Sequence, residues 1–261
     1  MSETQRHGNL LISVDVEPHN NDLEAARKGM SAAEQILGLL NQHSLHATWA
    51  LTDPATSGLR SRLTAGKQEI ALLGDPSWVG RSAGRTRFAR ELARRMMAAR
   101  SAQLPVTTLA LRNVVLQDGL DLVVRNGITA LRGETAGLSR DVERRPAGDP
   151  CRLLHFGVWE FPTAVILPAG GGPIWRGSWS WRLRRSIDNT IRNQGVLHVL
   201  IETFRIGANP AGFIAGLDRA LRHAAQRCQH GSLVNETLTQ AAGRLSHIQR
   251  AAPVRSILRA A

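Results

Sequence analysis

Several residue types are scarce in this chain of 261 residues, and each scarcity narrows the chemistry that the protein can perform. Tyrosine is absent, and Lys28 and Lys67 are the only lysines. The two cysteines, Cys151 and Cys228, are far apart and form no C-x-x-C pair. This spacing excludes a disulfide framework and a zinc site built on thiolates, so we expect a reduced, cytoplasmic setting.

Long apolar runs and nucleotide-binding motifs are also missing. No run reaches the roughly 18 apolar residues that a membrane span needs, so we expect no membrane partner. The polar start at residues 1–8 predicts no signal peptide. No G-x-G-x-x-G follows the first predicted strand, and no G-x-x-x-x-G-K-[ST] occurs, so a nucleotide cofactor is not predicted.

Positive charge, by contrast, is abundant, with a net charge of +12 that comes almost entirely from arginine. Such a charge attracts nucleic acid, an anionic membrane surface or an acidic glycan. No helix-turn-helix, RRM or OB signature accompanies the charge, so nucleic acid is not the favoured partner. We interpret the charge as diffuse, and a basic nucleic-acid-binding protein stays as the third functional hypothesis.

Strand-like and helix-like segments alternate along the chain about seven times. Strands are predicted at residues 9–14, 45–51, 69–73, 107–111, 128–131, 153–161 and 196–201. Helices are predicted at residues 22–42, 58–65, 81–100, 118–125, 180–193 and 210–229, with a loop at 133–150. This alternation is typical of an α/β domain of mainly parallel strands and favours a barrel over an open sheet. We expect a single domain over residues 1–261.

Polar and aromatic residues follow the predicted strands at their carboxyl ends, where α/β barrels gather their reacting groups. In chain order these residues are Asp15, Glu17, Thr52, Asp53, Asp75, Arg112, Trp159, Glu160 and Glu202. The pattern predicts a functional site at that end of the barrel.

Short motifs at these strands resemble those of the polysaccharide deacetylase (NodB-homology) family over most of the chain. SVDVEP at 13–18 is similar to the family's opening T-F-D-D-G-P or S-V-D-V-E motif, and ATWAL at 47–51 to A-T-F-F-L. The further matches are QEIA at 68–71, LRN at 111–113, NGI at 126–128, WEFP at 159–162 and GVLH at 195–198. The order and spacing of the motifs, rather than any one of them, carry the resemblance.

The resemblance implies a distorted (β/α)7-type barrel and the removal of acetyl groups from N-acetylated sugars. In such enzymes a divalent cation held by one carboxylate and two histidines activates water, while an aspartate acts as base and a late histidine as acid. It places Asp15 at the base position and Glu17 at the metal carboxylate.

All three histidines that the resemblance implies are missing. The H-x-x-x-H pair falls on Leu73 and Ser77, and the late histidine aligns with Glu202. Arg112 is retained, but Val114 stands where the family has proline. No metal cofactor is therefore predicted, although the family uses one, and we expect purified protein to hold no stoichiometric zinc.

The candidate site is built from the remaining side chains at the barrel mouth. Asp15, Arg112 and Glu202 are the candidate catalytic residues, and we expect Arg112 to face both acids. If that site is buried, removing Arg112 is expected to cost about 3–5 kcal/mol. Weak candidates for metal ligands are Glu17 and His19.

Four further side chains are candidates for substrate binding: Trp159, Trp175, Trp179 and Asp75. The tryptophans near 175–181 suit sugar stacking and loop packing equally. Glu17, Asp75 and Glu202 could also form an oxygen-only cation site, but pairing with nearby arginines is favoured.

Three functional hypotheses follow. The first is a carbohydrate N-deacetylase with a degenerate site, acting on a carbohydrate or another small acylated amide. The second is a catalytically inactive relative that binds glycan or regulates a partner. The third is the nucleic-acid-binding protein named above, and the oligomeric state is left open.

Overall fold

The fold is described from a computed structural model for residues 7–16, 23–116, 119–133, 151–167, 179–206 and 210–251. The strands are β1 Gly8–Asp15, β2 Thr48–Leu51, β3 Glu69–Gly74, β4 Thr108–Leu111, β5 Ala130–Arg132, β6 Arg152–Leu153, β7 Trp159–Glu160, β8 Val165–Leu167, β9 Val196–Glu202 and β10 Leu233–Glu236. The helices are α1 Leu23–Gln42, α2 Arg60–Ala65, α3 Gly84–Ser101, α4 Leu120–Arg125, α5 Trp179–Asn193, α6 Pro210–Gln229 and α7 Leu238–Ala251. No helix among these residues is long and apolar enough to cross a membrane.

The strands form one curled, mainly parallel sheet in the order β6-β7-β5-β4-β3-β2-β1-β9-β8, with β10 paired to β1. The chain passes directly from β7 to β8, and this segment contacts both ends of the sheet. Phe161 N–H donates to the Leu131 carbonyl of β5 (2.8 Å), and Ala164 N–H donates to the His198 carbonyl of β9 (3.0 Å). The segment thus bridges the two edges, which confirms the predicted distorted (β/α)7-type barrel.

The two faces of the sheet differ sharply in polarity. On β1, the alternate residues Leu10, Ile12 and Val14 are buried in the main apolar core under the helices. The intervening residues point into the barrel, because successive side chains of a strand face opposite sides. The buried polar side chains of the inner face are Ser13, Asp15, Thr48, Thr108, Arg112, Arg132, His198 and Glu202. The barrel interior therefore contains a column of polar side chains beside two small apolar clusters, inside an apolar shell.

The amino end of the barrel is closed by two elements that the sequence pattern did not predict, β10 and α7. β10 pairs with the first half of β1, and Asn235 donates from Nδ2 to the carbonyls of Leu10 and His46 (both 3.1 Å). α7 contributes Leu238 and Ala241 to a small apolar cluster inside the barrel. The predicted alternation ended at Gln229 because β10 is only four residues long and half polar.

The strand predicted at 153–161 is wrong in its continuity. The structure divides it into β6, a 3-10 turn at His155–Gly157, and β7. Phe156 adopts a left-handed backbone conformation (φ 63°), which no strand accommodates. His155, interpreted as lying inside a strand, is an exposed turn residue. β8 was also missed, because it continues the same segment beyond Pro162.

Candidate active site

The carboxyl ends of the strands bring the candidate residues to one end of the barrel. Asp15 and Glu202 are register neighbours at the last positions of β1 and β9. Arg112 follows β4 directly, and its N–H donates to the Gly74 carbonyl at the end of β3 (2.8 Å). Asp75 is the next residue after that strand. The sequence expectation that Asp15, Arg112 and Glu202 share one rim therefore agrees with the strand ends.

Arg112 was expected to face both acids, but the carboxylate of Asp15 is bound by a different arginine that the sequence pattern did not single out. Arg132, at the end of β5, donates from Nη1 and Nη2 to the two carboxylate oxygens of Asp15, at 2.6 and 2.8 Å. The side chains of Arg132 and Asp15 are 1% and 0% exposed. Parallel bonds of this kind are the strongest ion-pair geometry in proteins.

This ion pair also shows that the sheet is strongly curved. β5 and β1 are separated by β4, β3 and β2 in the strand order. In a flat sheet, four inter-strand steps would place them about 19 Å apart. Contact between Asp15 and Arg132 is possible only because the sheet curls, so the pair spans the barrel interior.

Immediately below the ion pair, Ser13 and His198 form a second buried contact. The Ser13 Oγ and His198 Nε2 atoms are 2.8 Å apart, and His198 Nδ1 lies 3.2 Å from the Pro162 carbonyl. Burial, reinforced by the positive charge of Arg132, lowers the pKa of His198 to about 3. His198 is therefore a neutral imidazole at physiological pH.

Glu202 and Arg112 lie at the rim above this column. Both are buried, at 4% and 2% exposure. Arg205 Nε lies 3.0 Å from Glu202 Oε2. The Arg112 guanidinium stacks on the Phe204 ring, with 5.4 Å from Cζ to the ring centroid. Arg112 and the segment that follows β9 are thus in contact across the barrel mouth.

The positions where the resemblance implies the paired histidines hold no ligand. Leu73 is fully buried inside the barrel with Ala50 and Ala110, and Ser77 is exposed. Asp75 accepts a hydrogen bond at Oδ1 from the Ser77 N–H (2.8 Å), so it caps its own turn.

The tryptophans chosen as substrate ligands are used for packing. Trp159 Nε1 donates to Ser246 Oγ of α7 (2.9 Å), and its ring packs on the apolar cluster at the amino end. Trp179 stacks on Phe213 of α6, with ring centroids 5.0 Å apart. A Cβ on Gly216 would lie 2.6 Å from the Trp179 ring, so glycine permits this close approach. Trp175 lies outside the described residues.

A divalent cation does not fit the described part of this site. The groups near the barrel axis are two guanidiniums, of Arg112 and Arg132, and two carboxylates, of Asp15 and Glu202. Arg205 adds a third guanidinium 3.0 Å from Glu202, and a cation at Asp15 would lie beside the guanidinium that already binds both carboxylate oxygens. No group of three or more His, Cys, Asp or Glu side chains suited to a metal occurs among the described residues. Glu17 and His19, the weak metal candidates, lie outside them.

Comparisons with known proteins bear on the fold. No family model and no curated protein matches the chain. A solved protein from Mycobacterium smegmatis described as a polysaccharide deacetylase matches with a TM-score of 0.70 at 14% identity, over 95% of this chain and 94% of that one. A Pseudomonas aeruginosa PAO1 protein described in the same way matches with a TM-score of 0.63 at 12% identity, over 94% and 92% of the two chains.

PuuE allantoinase has the same architecture, with a TM-score of 0.64 at 12% identity over 94% of this chain and 91% of its own. Identities of 12–14% establish the fold and leave the chemistry to be argued from the site. The resemblance inferred from the motifs is thus confirmed in three dimensions: the chain has the fold of the polysaccharide deacetylases.

Proposed function

We propose that this protein is a non-catalytic relative of the polysaccharide deacetylases that binds a glycan at the carboxyl end of its barrel. The observation that carries the proposal is the buried, doubly hydrogen-bonded ion pair between Asp15 and Arg132. Each of the three groups that metal-assisted deacetylation requires, a base, a cation and an acid, is compromised at this site.

The base position is blocked by Arg132. A general base must reach the proton that it removes, directly or through one water. Asp15 is 0% exposed and both of its oxygens already accept N–H donors from Arg132. Breaking this pair to free the carboxylate would leave two uncompensated buried charges, which is strongly unfavourable. Asp15 therefore stabilises the barrel instead of activating water.

The cation is replaced by the same guanidinium. In the family reaction a metal supplies positive charge next to carboxylates, and here Arg132 supplies it permanently. A guanidinium has no acceptor and stays protonated, so it polarises no water toward hydroxide. The charge of Asp15 is thus compensated without the chemistry that a metal ion would add.

The acid is missing as well. Glu202 occupies the position that aligns with the late histidine, and it lies beside Arg205. The nearest buried imidazole, His198, has a pKa lowered to about 3 by burial, so it carries no transferable proton at neutral pH. It also lies one layer below the rim, hydrogen-bonded to Ser13.

Glycan binding is supported by the fold and by the chemistry of the rim. Barrels of this kind bind their ligands at the carboxyl ends of the strands. That end carries the part-buried ring of Phe204, which stacks on Arg112, and the exposed guanidinium of Arg205 beside Glu202. Such groups can bond sugar hydroxyls and amides.

The direct test is acetate release from a hexamer of N-acetylglucosamine, with zinc, cobalt or magnesium added and an active deacetylase as the positive control. We expect no acetate above background from the parent or from Asp15→Asn. Metal-dependent acetate release that is lost in Asp15→Asn would overturn the proposal. Binding of the same hexamer, followed by calorimetry, tests the glycan-binding half separately.

A further inference from the structure

We propose that the outer surface at the start of α5 binds an acidic polysaccharide chain, with Trp181 as the stacking platform and Arg182 and Arg185 as cationic partners. This surface was assigned no role above. The inference rests on the proposed glycan-binding function and names the class of glycan that the protein recognises.

The start of α5 lies at the carboxyl end of the barrel. The last turn of α5 is at the opposite end, since a Cβ on Gly8, the first residue of β1, would lie 2.9 Å from the Ile191 backbone nitrogen. The fifteen residues of α5 span about 22 Å, close to the length of β1. Leu183 and Ile201 line the same small apolar cavity near the end of β9. Trp181 is therefore level with the rim that holds Asp15 and Glu202.

Trp181 presents a large aromatic surface to solvent. It is 52% exposed, whereas Trp179 two residues earlier stacks on Phe213 in the helix interface. The Arg185 guanidinium lies 5.3 Å from the Trp181 ring centroid, one helical turn further on. This cation–π contact restrains the indole while leaving half of it accessible. A lone exposed apolar residue is ordinary, but one held in place by a cation at the rim of a ligand-binding fold is a platform for the C–H face of a sugar.

The exposed charge that the structure describes on α5 is basic. Its exposed charged residues are Arg182, Arg185 and Arg192. The one acid of the helix, Asp188, is bonded to α6, at 3.0 Å from His223 Nε2 and 2.9 Å from Arg227 Nη2. Its charge is therefore compensated by Arg227, and the platform favours ligands that carry carboxylates or sulfates.

A polyanionic sugar fits this surface better than a nucleic acid. Single-stranded nucleic acids are bound by several aromatic rings that stack successive bases. In the part of α5 and α6 that the structure describes, Trp181 is the one strongly exposed aromatic side chain. One ring flanked by arginines matches a uronate chain, in which one sugar stacks and its neighbours offer carboxylates.

The experiment measures binding of a galacturonic acid hexamer to the full chain by calorimetry, beside a neutral N-acetylglucosamine hexamer and a single-stranded hexanucleotide. We expect the uronate to bind most tightly, with an affinity that falls as salt rises. Trp181→Ala, and separately Arg182→Ala/Arg185→Ala, should weaken it at least about tenfold. Trp181→Phe should retain most of the affinity. The matched control, Arg87→Ala/Arg90→Ala, removes two exposed arginines from α3 on the other side of the barrel and should change it less than about twofold.

Equal weakening by the two arginine pairs would overturn the inference in favour of diffuse charge, and unchanged binding by Trp181→Ala would overturn it outright. Tighter binding of the hexanucleotide would reassign the surface to nucleic acid. Equal binding of both sugars refutes the acidic class but leaves glycan binding intact, whereas binding of neither sugar refutes the proposed function itself. Because Trp181 is exposed, its variants should unfold at the parent's temperature, which separates lost binding from lost folding.

Discussion

The two ends of the barrel hold a carboxylate in different ways, part-buried at the amino end and fully buried at the carboxyl end. At the amino end, Glu69 accepts hydrogen bonds from the hydroxyls of Thr48 (2.7 Å), Thr108 and Thr239 (2.7 Å), and from the Thr239 N–H (3.1 Å). At the carboxyl end, both carboxylate oxygens of Asp15 accept hydrogen bonds from the guanidinium of Arg132. Glu69 is thus bound by uncharged donors that attach α7 to the barrel, whereas Asp15 is bound by a positively charged side chain.

This difference has a consequence for function. Glu69 lies at the first turn of α7, where a negative charge also meets the favourable end of the helix dipole, so its role is structural. Asp15 lies at the carboxyl end of its strand, the end where barrels of this kind carry their functional residues, and its carboxylate is bound by Arg132. Under the proposed function, this guanidinium supplies next to Asp15 the positive charge that a metal ion would otherwise supply.

The largest effect is expected from removing the guanidinium at the carboxyl end. Arg132→Met leaves Asp15 as an unpaired buried charge and should lower the free energy of unfolding by about 3–5 kcal/mol. Urea denaturation measures this change. The matched control is Arg62→Met, which breaks an exposed pair with Glu34 and should cost less than about 1 kcal/mol. Equal losses from the two variants would show that the buried ion pair contributes no more to the free energy of unfolding than an exposed one.

A second variant separates charge from shape. Asp15→Leu combined with Arg132→Met removes both charges, and it should recover much of the stability lost by Arg132→Met alone, because an apolar pair leaves no unpaired charge. Failure of the double variant to recover would mean that packing, rather than charge, accounts for the loss. Arg112→Ala, the substitution that sequence reasoning singled out, should cost less than Arg132→Met, because the carboxylate of Asp15 keeps its partner.

The next largest effect is a pH dependence of the stability, caused by the buried His198. The pKa of His198 is about 3 in the folded protein, and an unfolded histidine has a pKa near 6.5. The unfolded state therefore takes up the proton first, so stability is full above pH 6.5 and falls as the pH decreases toward 3. At pH 5 the loss from this residue is about 2 kcal/mol. His198→Gln should flatten the change in urea midpoint between pH 7 and 5, and an unchanged slope would contradict the buried neutral imidazole.

The smallest effect is expected at the amino end. Glu69→Ala removes the acceptor shared by two strands and α7, and it should cost about 1–2 kcal/mol. Glu69→Gln keeps an acceptor oxygen and should cost less. Hydrogen exchange of the α7 amides reports whether the loss is local, and a Glu69→Ala variant whose α7 amides exchange as in the parent would argue against the fastening role.

Sequence reasoning succeeded where periodicity and strand direction determine the outcome. Asp15, Arg112 and Glu202 were placed at strand ends, and parallel strands necessarily bring those ends to one rim. Arg132 satisfies the same criterion, since it directly follows the strand predicted at 128–131 as Arg112 follows the strand at 107–111, and it was nevertheless missed. Its pairing with Asp15 across the barrel is a tertiary event that no local pattern encodes.

The exposure of the aromatic residues, by contrast, could not be predicted from the sequence. Trp159 and Trp179 were chosen for their proximity to motif and loop residues, yet helices that lie elsewhere in the chain cover both rings. Which member of a tryptophan cluster faces solvent depends on the partner helix, and of the two that the structure describes here, Trp179 and Trp181, it is Trp181. Exposure of this kind follows from packing and could not be read from composition or spacing.

Zinc binding to the full chain distinguishes an Asp15 that is paired with Arg132 from an Asp15 that serves as a metal ligand. Equilibrium dialysis of the parent and of Asp15→Asn, followed by elemental analysis, measures the zinc that each retains. We predict that the parent retains no stoichiometric zinc and that Asp15→Asn behaves identically. About one tightly held zinc per parent chain that is lost in Asp15→Asn would contradict it, because Asp15 would then be a ligand rather than the partner of Arg132.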